Sequence, residues 1–130
     1  MAIFKMIEER EASGKVKEIF DDIKSSRGIT EIPNFWKMLA NDSNELERSW
    51  NSLKQVMRKG TLDPVTKELI YVAVSITNSC EYCTRSHSYA AKKKGATDEM
   101  LKEMIAVVGL ANKNNKLVDS YQVEVDDIYK

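Results

Sequence analysis

Neither sign of charge prevails in this chain. Twenty lysine and arginine residues balance twenty aspartate and glutamate residues, and one histidine stands beside them. A protein that grips a nucleic-acid backbone carries a basic excess, so no nucleic-acid partner is expected. Long apolar runs are missing as well. The two longest, 69–76 and 104–111, cover 8 residues each and both include a polar or glycine position. A spanning helix needs ~18 or more, so no membrane segment is expected. Residues 1–9 lack the basic and then apolar order of a secretory signal, which makes the cytoplasm the expected location.

Cysteine is scarce: Cys80 and Cys83 are the only two. A secreted disulfide scaffold has more of them at wider spacing. In a reducing cytosol a lone C-x-x-C pair points instead to catalysis, redox cycling or metal binding. Proline and glycine are nearly as sparse, at two and five, and fall between periodic segments. No alternating run reads as a strand. With 130 residues, 42% of them apolar and 31% charged, the chain has the length and composition of one globular domain.

The fold class expected is therefore all-α, a single compact domain of six or seven helices over 1–130. The first helix is predicted over 12–25, with Val16, Ile19, Phe20 and Ile23 as its apolar stripe. Pro33 opens a short helix carrying Phe35, Trp36 and Leu39. Asp42 caps a third, with Glu45 completing a capping box and Leu46, Trp50, Leu53 and Met57 as the stripe. Trp36 and Trp50 read as core or interface anchors, and the Phe35/Trp36 pair is also a candidate for lining a substrate entrance. Asp63-Pro64 is a strong start signal for a helix to about 78. Its apolar residues cover most of its circumference, so burial all round is expected. Ser79 is the predicted cap of a helix over 80–94, which Gly95 ends. Thr97 starts another helix, and Gly109 separates it from a last one. The acidic tail from Val123 onward reads as loosely held.

Cys80, Cys83 and His87 stand at i, i+3 and i+7, positions that share one helical face. A thiol in the first turn is stabilised as thiolate by the helix dipole. His87 can take or give a proton near neutral pH. Two thiols and one base on a single face make a coherent dithiol site, able to cycle between thiol and disulfide. Zinc is the alternative. A structural zinc site takes four ligands, and only three lie here, so a catalytic zinc would need an added carboxylate. Our expectation is no metal and no cofactor. Glu68 is a carboxylate on the most apolar helix, a costly placement unless it is paired. One reading is an exposed first-turn acid favoured by the dipole. The other is a buried partner that orients His87. If the helices before and after 78–79 pack antiparallel, at ~1.5 Å per residue Glu68 and His87 lie at heights of ~15 Å and ~12 Å, a feasible match. Cys80 would then be out of reach of Glu68. Lys92, Lys93 and Lys94 read as a solvated helix end, where cations suit the dipole, or else as a site for an anionic partner.

The run from Glu68 through Cys80-Glu81-Tyr82-Cys83-Thr84-Arg85-Ser86-His87 resembles the signature of the alkyl hydroperoxidase D-like and carboxymuconolactone decarboxylase-like superfamily. Lys67-Glu68-Leu69-Ile70 and the segment from Ala90 to Gly95 are similar to it too, and the likeness covers 62–108 best. The resemblance implies an all-α fold in homo-oligomers, commonly trimers or hexamers. It also implies a redox branch that reduces peroxides with two cysteines and a Glu/His proton relay, here Glu68, Cys80, Cys83 and His87. The best-known peroxidase members carry a histidine just before the second cysteine, where this chain has Tyr82, a poor base at neutral pH.

The function expected is thus a thiol-dependent peroxidase or disulfide reductase. Its substrate would be a hydroperoxide and its reductant an external dithiol or thiol protein. One thiolate attacks the O–O bond and the other thiol closes a disulfide. The dipole favours Cys80 as the attacking group and the i, i+4 contact with His87 favours Cys83. A specific base outweighs a frayed helix end, which points to Cys83. The rival readings are a non-redox oligomeric small-ligand-binding protein and a cofactor-free decarboxylase of a small lactone acid. The decarboxylase would need a cation in its pocket. Arg85, the nearest one, is expected to face away from the cysteines.

Overall fold

The computed structural model describes residues 2–130 and is all-helical, with six α-helices and two short 3-10 turns among the described residues. Met1, the first residue of the stretch read for a targeting signal, lies outside them. The chain divides into two compact units, 1–58 and 59–130.

The first unit contains α1 (Gly14–Arg27), α2 (Asn34–Leu39) and α3 (Ser43–Met57). Its core gathers the predicted stripes: Ile19, Phe20 and Ile23 from α1, Trp36 from α2, and Leu46 and Trp50 from α3. The two indoles meet edge to face at 5.4 Å between centroids, a favoured aromatic geometry. Trp50 donates Nε1–H to Asp22 at 2.6 Å, and Lys54 reaches the same carboxylate oxygen at 2.6 Å. These bonds, first Lys54 and then Trp50, hold the Asp22 carboxyl below its ordinary range. Both tryptophans are thus core residues, and Trp36 is too deeply buried to line an entrance, whereas its neighbour Phe35 is exposed. Asp42 caps α3 by accepting from the N–H groups of Asn44 and Glu45. The capping box is only half formed, because the Glu45 carboxylate turns to Arg48 and Ser49 instead of back to Asp42.

The second unit contains α4 (Pro64–Thr77), α5 (Glu81–Lys93) and α6 (Asp98–Ser120). Asp63 caps α4 as predicted, accepting from Thr66 N–H at 2.9 Å. Two expectations fail here. Gly109 does not break the chain, and α6 runs unbroken for 23 residues. A mid-helix glycine costs only about 1 kcal/mol against alanine, which a long helix absorbs. Nor is α4 buried all round: Ile70 is 48% and Val74 54% exposed, while its inner face presents Glu68, Val72 and Ser75.

The junction of α4 and α5 departs from expectation in a way that shapes the site. Ser79 is not the cap of α5. It takes φ 57°, in the left-handed region, and so terminates α4. Its N–H bonds to Ile76 C=O at 3.0 Å and the next N–H, that of Cys80, bonds to Ser75 C=O at 2.9 Å. This pair of bonds is a Schellman terminator with serine where glycine is usual. The chain reverses within it, so Cys80 is at once the end of one motif and the N-cap of α5.

Candidate active site

The α5 helix begins on sulfur. The Cys80 side chain accepts the N–H of Cys83 at 3.4 Å, the place an oxygen fills at most helix starts. Hydrogen bonding from the Cys83 thiol, and then from its N–H, lowers the Cys80 pKa from the ordinary 9.0. Cys83 goes the other way. Partial burial, and then the neighbouring Cys80, push it up to about 11. These directions favour Cys80, the choice of the dipole argument, over the Cys83 to which the i, i+4 contact with His87 points. Cys80 is the thiol poised to ionise, because its position at the helix start is a formed cap and not a frayed end. Both cysteines are free thiols.

One turn beyond Cys83 stands His87. Its Nδ1 is 2.7 Å from Oε2 of Glu68 on α4, so the pair expected from helix register is formed. Glu68 is 3% exposed, which excludes the reading of it as an exposed first-turn acid. Its second oxygen, Oε1, accepts from Lys94 Nζ at 2.6 Å. Burial alone would raise the Glu68 pKa, but the hydrogen bonds from His87 and Lys94 outweigh it and the carboxyl lies below its ordinary 4.5. Tyr71, one turn along α4, stacks on the His87 ring at 3.5 Å between centroids and 17° between planes. Burial first, then the charges of Cys83, Cys80 and Glu68, hold its phenol above the usual range and keep it neutral.

Sequence reasoning missed Tyr71 and Lys94. Tyr71 follows Glu68 at i+3 and Lys94 follows His87 at i+7, so each continues a site face already identified. Lys94 is not merely part of a solvated end, although Lys92 does bind the exposed Asp98. Arg85 is exposed and paired with Glu81 on the outer side of α5. Among the described residues, no group of three or more His, Cys, Asp or Glu side chains is placed to hold a metal ion, and no helix is long and apolar enough to cross a membrane.

Chemically, the set can hold one thiolate, keep a second thiol protonated beside it, and pass a proton through an oriented imidazole. With Glu68 ionised, Nδ1 of His87 must be the donor in that bond, and Nε2 is the atom left to exchange a proton.

The Glu68 arrangement also predicts how acid acts on the fold. A carboxyl lowered on folding adds stability that is present above about pH 4.5 and is lost as pH falls through its lower folded value. Urea titrations between pH 5.5 and 3 should show stability falling more steeply in wild type than in Glu68→Gln. Parallel curves would show that the carboxylate contributes nothing to this fall.

The model of the carboxymuconolactone decarboxylase family matches residues 44–123. An alkyl hydroperoxide reductase AhpD of Solibacter usitatus is 34% identical over 74 residues, 57% of this chain and 40% of that protein. A Paracoccus denitrificans protein known as uncharacterized protein 4 in the cox locus is 43% identical over 54 residues, 42% of this chain and 49% of its own length. The matches thus span about half or less of these curated relatives. The crystal structure of an alkylhydroperoxidase AhpD core from Rhodospirillum rubrum superposes with a TM-score of 0.95 at 43% identity, covering 99% of this chain and 97% of that one.

Proposed function

Because this chain belongs to the carboxymuconolactone decarboxylase family and is AhpD-like in fold, we propose that it is a dithiol peroxidase in which Cys80 attacks and Cys83 resolves. The observation that carries this reading is the split acidity of two thiols one turn apart, with an oriented histidine one turn beyond the weaker acid.

In the first step the Cys80 thiolate attacks the terminal oxygen of a hydroperoxide. An S–O bond forms, the O–O bond breaks, and the departing alkoxide takes a proton to leave as the alcohol. Cys80 is now a sulfenic acid. Cys83 then attacks its sulfur, the S–S bond forms, and hydroxide leaves with a proton as water. With a pKa near 11, Cys83 needs a base for this step. His87 stands at i+4 on the same face and offers Nε2, while Glu68 holds Nδ1–H and so sets the ring plane. An external dithiol or thiol protein then exchanges into the disulfide, is itself oxidised, and restores both thiols. Tyr82 takes no part in this scheme, so the absence of a histidine at its position does not block it.

The test is hydroperoxide consumption measured against several dithiol donors, with mass spectrometry of the protein. Turnover should depend on the donor, and donor-free protein should lose two hydrogens per chain. Irreversible sulfonic acids on both cysteines, with no disulfide and no turnover, would overturn the proposal.

A homo-oligomer is part of the same reading. Its support lies on the second unit and not on the tryptophans, which are core. Besides Ile70 and Val74, α6 exposes Ile105, Val107, Leu110 and Val118, an exposed apolar load that a partner copy would cover. Light scattering should return a multiple of 14.8 kDa at micromolar concentration, and a monomer mass would refute this part.

A further inference from the structure

The site contains one charged group for which the thiol chemistry has no direct use. Lys94 is the C-cap of α5, fourteen residues beyond Cys80 along the chain, and it lies nowhere near the sulfur end of the helix. Its ammonium nevertheless ends on Glu68 Oε1 at 2.6 Å. The other lysines of that run are occupied elsewhere. Lys92 binds Asp98 at 2.7 Å and Lys93 lies over the Tyr89 ring at 5.4 Å. Lys94 is therefore the one cation of the run that reaches the buried carboxylate. The local fold aims it there. Gly95, at φ 109°, reverses the chain immediately after α5, and Ala96 N–H closes onto Ala91 C=O at 2.9 Å.

We infer that Lys94 is a positioning residue that fixes which nitrogen of His87 carries the proton, by holding Glu68 as a carboxylate. The inference rests on the reading of His87 as the base for Cys83. A carboxylate has no proton to give, so it forces Nδ1 of the ring to be the donor and leaves the Nε2 lone pair as the base. A protonated carboxyl acts the opposite way. It can donate to Nδ1, which sends the single proton of the neutral ring to Nε2 and removes the base from the dithiol face. A carboxyl 3% exposed tends toward that protonated form unless a cation opposes it. The groups that bear on Glu68 include His87 of α5, Lys94 at its C-cap, and Tyr71 from its own helix. Of these only Lys94 brings an ammonium to the carboxylate, at 2.6 Å from Oε1. Its action on the chemistry passes wholly through Glu68 and His87.

Having one histidine makes the test clean. Ring 15N spectra of uniformly labelled protein report the tautomer directly, without any turnover. At a pH where the ring is neutral, wild type should show the pyridine-type resonance at Nε2. In Lys94→Met, which keeps the aliphatic stem, that resonance should move to Nδ1. Lys94→Arg should restore the wild-type pattern, which a purely structural role for the stem would not require. The same three proteins should differ in disulfide closure, slowed in Lys94→Met and recovered in Lys94→Arg. A wild-type tautomer retained in folded Lys94→Met would overturn the inference. Should that variant fail to fold, Lys94→Gln, which keeps a polar end without the charge, takes its place, and a wild-type tautomer retained there would overturn the inference. Failure of the peroxidase reading gives a different signature, an intact tautomer lock in a protein that consumes no peroxide.

Discussion

Cys80→Ser is expected to consume no hydroperoxide at all, whereas Cys83→Ser should consume one equivalent per chain and stop. Loss of a nucleophile lowers turnover by several orders of magnitude, because a serine hydroxyl in the same place has neither the acidity nor the softness of the thiol. Loss of the resolving thiol leaves the first step intact and strands the sulfenic acid. Both follow from the proposed roles of the two thiols, in which hydrogen bonds lower the pKa of the N-cap Cys80 and burial raises that of Cys83 to about 11. Quenched single-turnover assays with a sulfenic-acid trap distinguish the two variants. A stoichiometric burst from Cys80→Ser, with none from Cys83→Ser, would reverse the assignment of attacker and resolver.

A second large effect belongs to stability. Trp50→Ala should cost about 3–5 kcal/mol, the usual penalty for truncating a buried large aromatic. Trp50 fills the centre of the first unit against Trp36 and also satisfies Asp22. Against a total of about 5–15 kcal/mol for a typical domain, that loss endangers folding at physiological temperature. Trp50→Phe keeps most of the ring and gives up the bond to Asp22, so it should lose about 1.5–3 kcal/mol, the range for a hydrogen bond to a charged group. Urea melts followed by the fluorescence of Trp36, the other indole of the same unit, measure both. If Trp50→Ala and Trp50→Phe melt together within error, packing at this position is not what holds the unit.

The helices were legible because breakers and caps agreed with periodicity. Asp63-Pro64, Gly28 and Thr97 act where their chemistry places them. Gly109 was misleading since its local cost is small beside the cooperative gain of a long helix. The exposure of Ile70 and Val74 was not legible either: a pattern shows that a face is apolar and not what will cover it. The Glu68–His87 pair was one of two readings of Glu68, made feasible by helix rise once antiparallel packing of the two helices was assumed. The roles of the two thiols were not legible, because acidity depended on burial and on a sulfur-capped helix start that spacing does not reveal. Lys94 was hidden by a sufficient explanation, since any lysine at a helix C-terminus suits the dipole.

The terminator at Ser79 leaves the α4–α5 connection no slack. Glu68 and His87 are 19 positions apart, and of the residues between them only Asn78, Ser79 and Cys80, which form the turn, lie outside α4 and α5. One residue inserted after Asn78 would rotate α5 by about 100° about its axis, carrying His87 and the thiols off the face that meets Glu68. Substitution within the stretch is a matter of degree, but insertion or deletion is a matter of kind. For a related sequence, the count between the carboxylate and the imidazole is therefore a stricter test of a kept site than percentage identity.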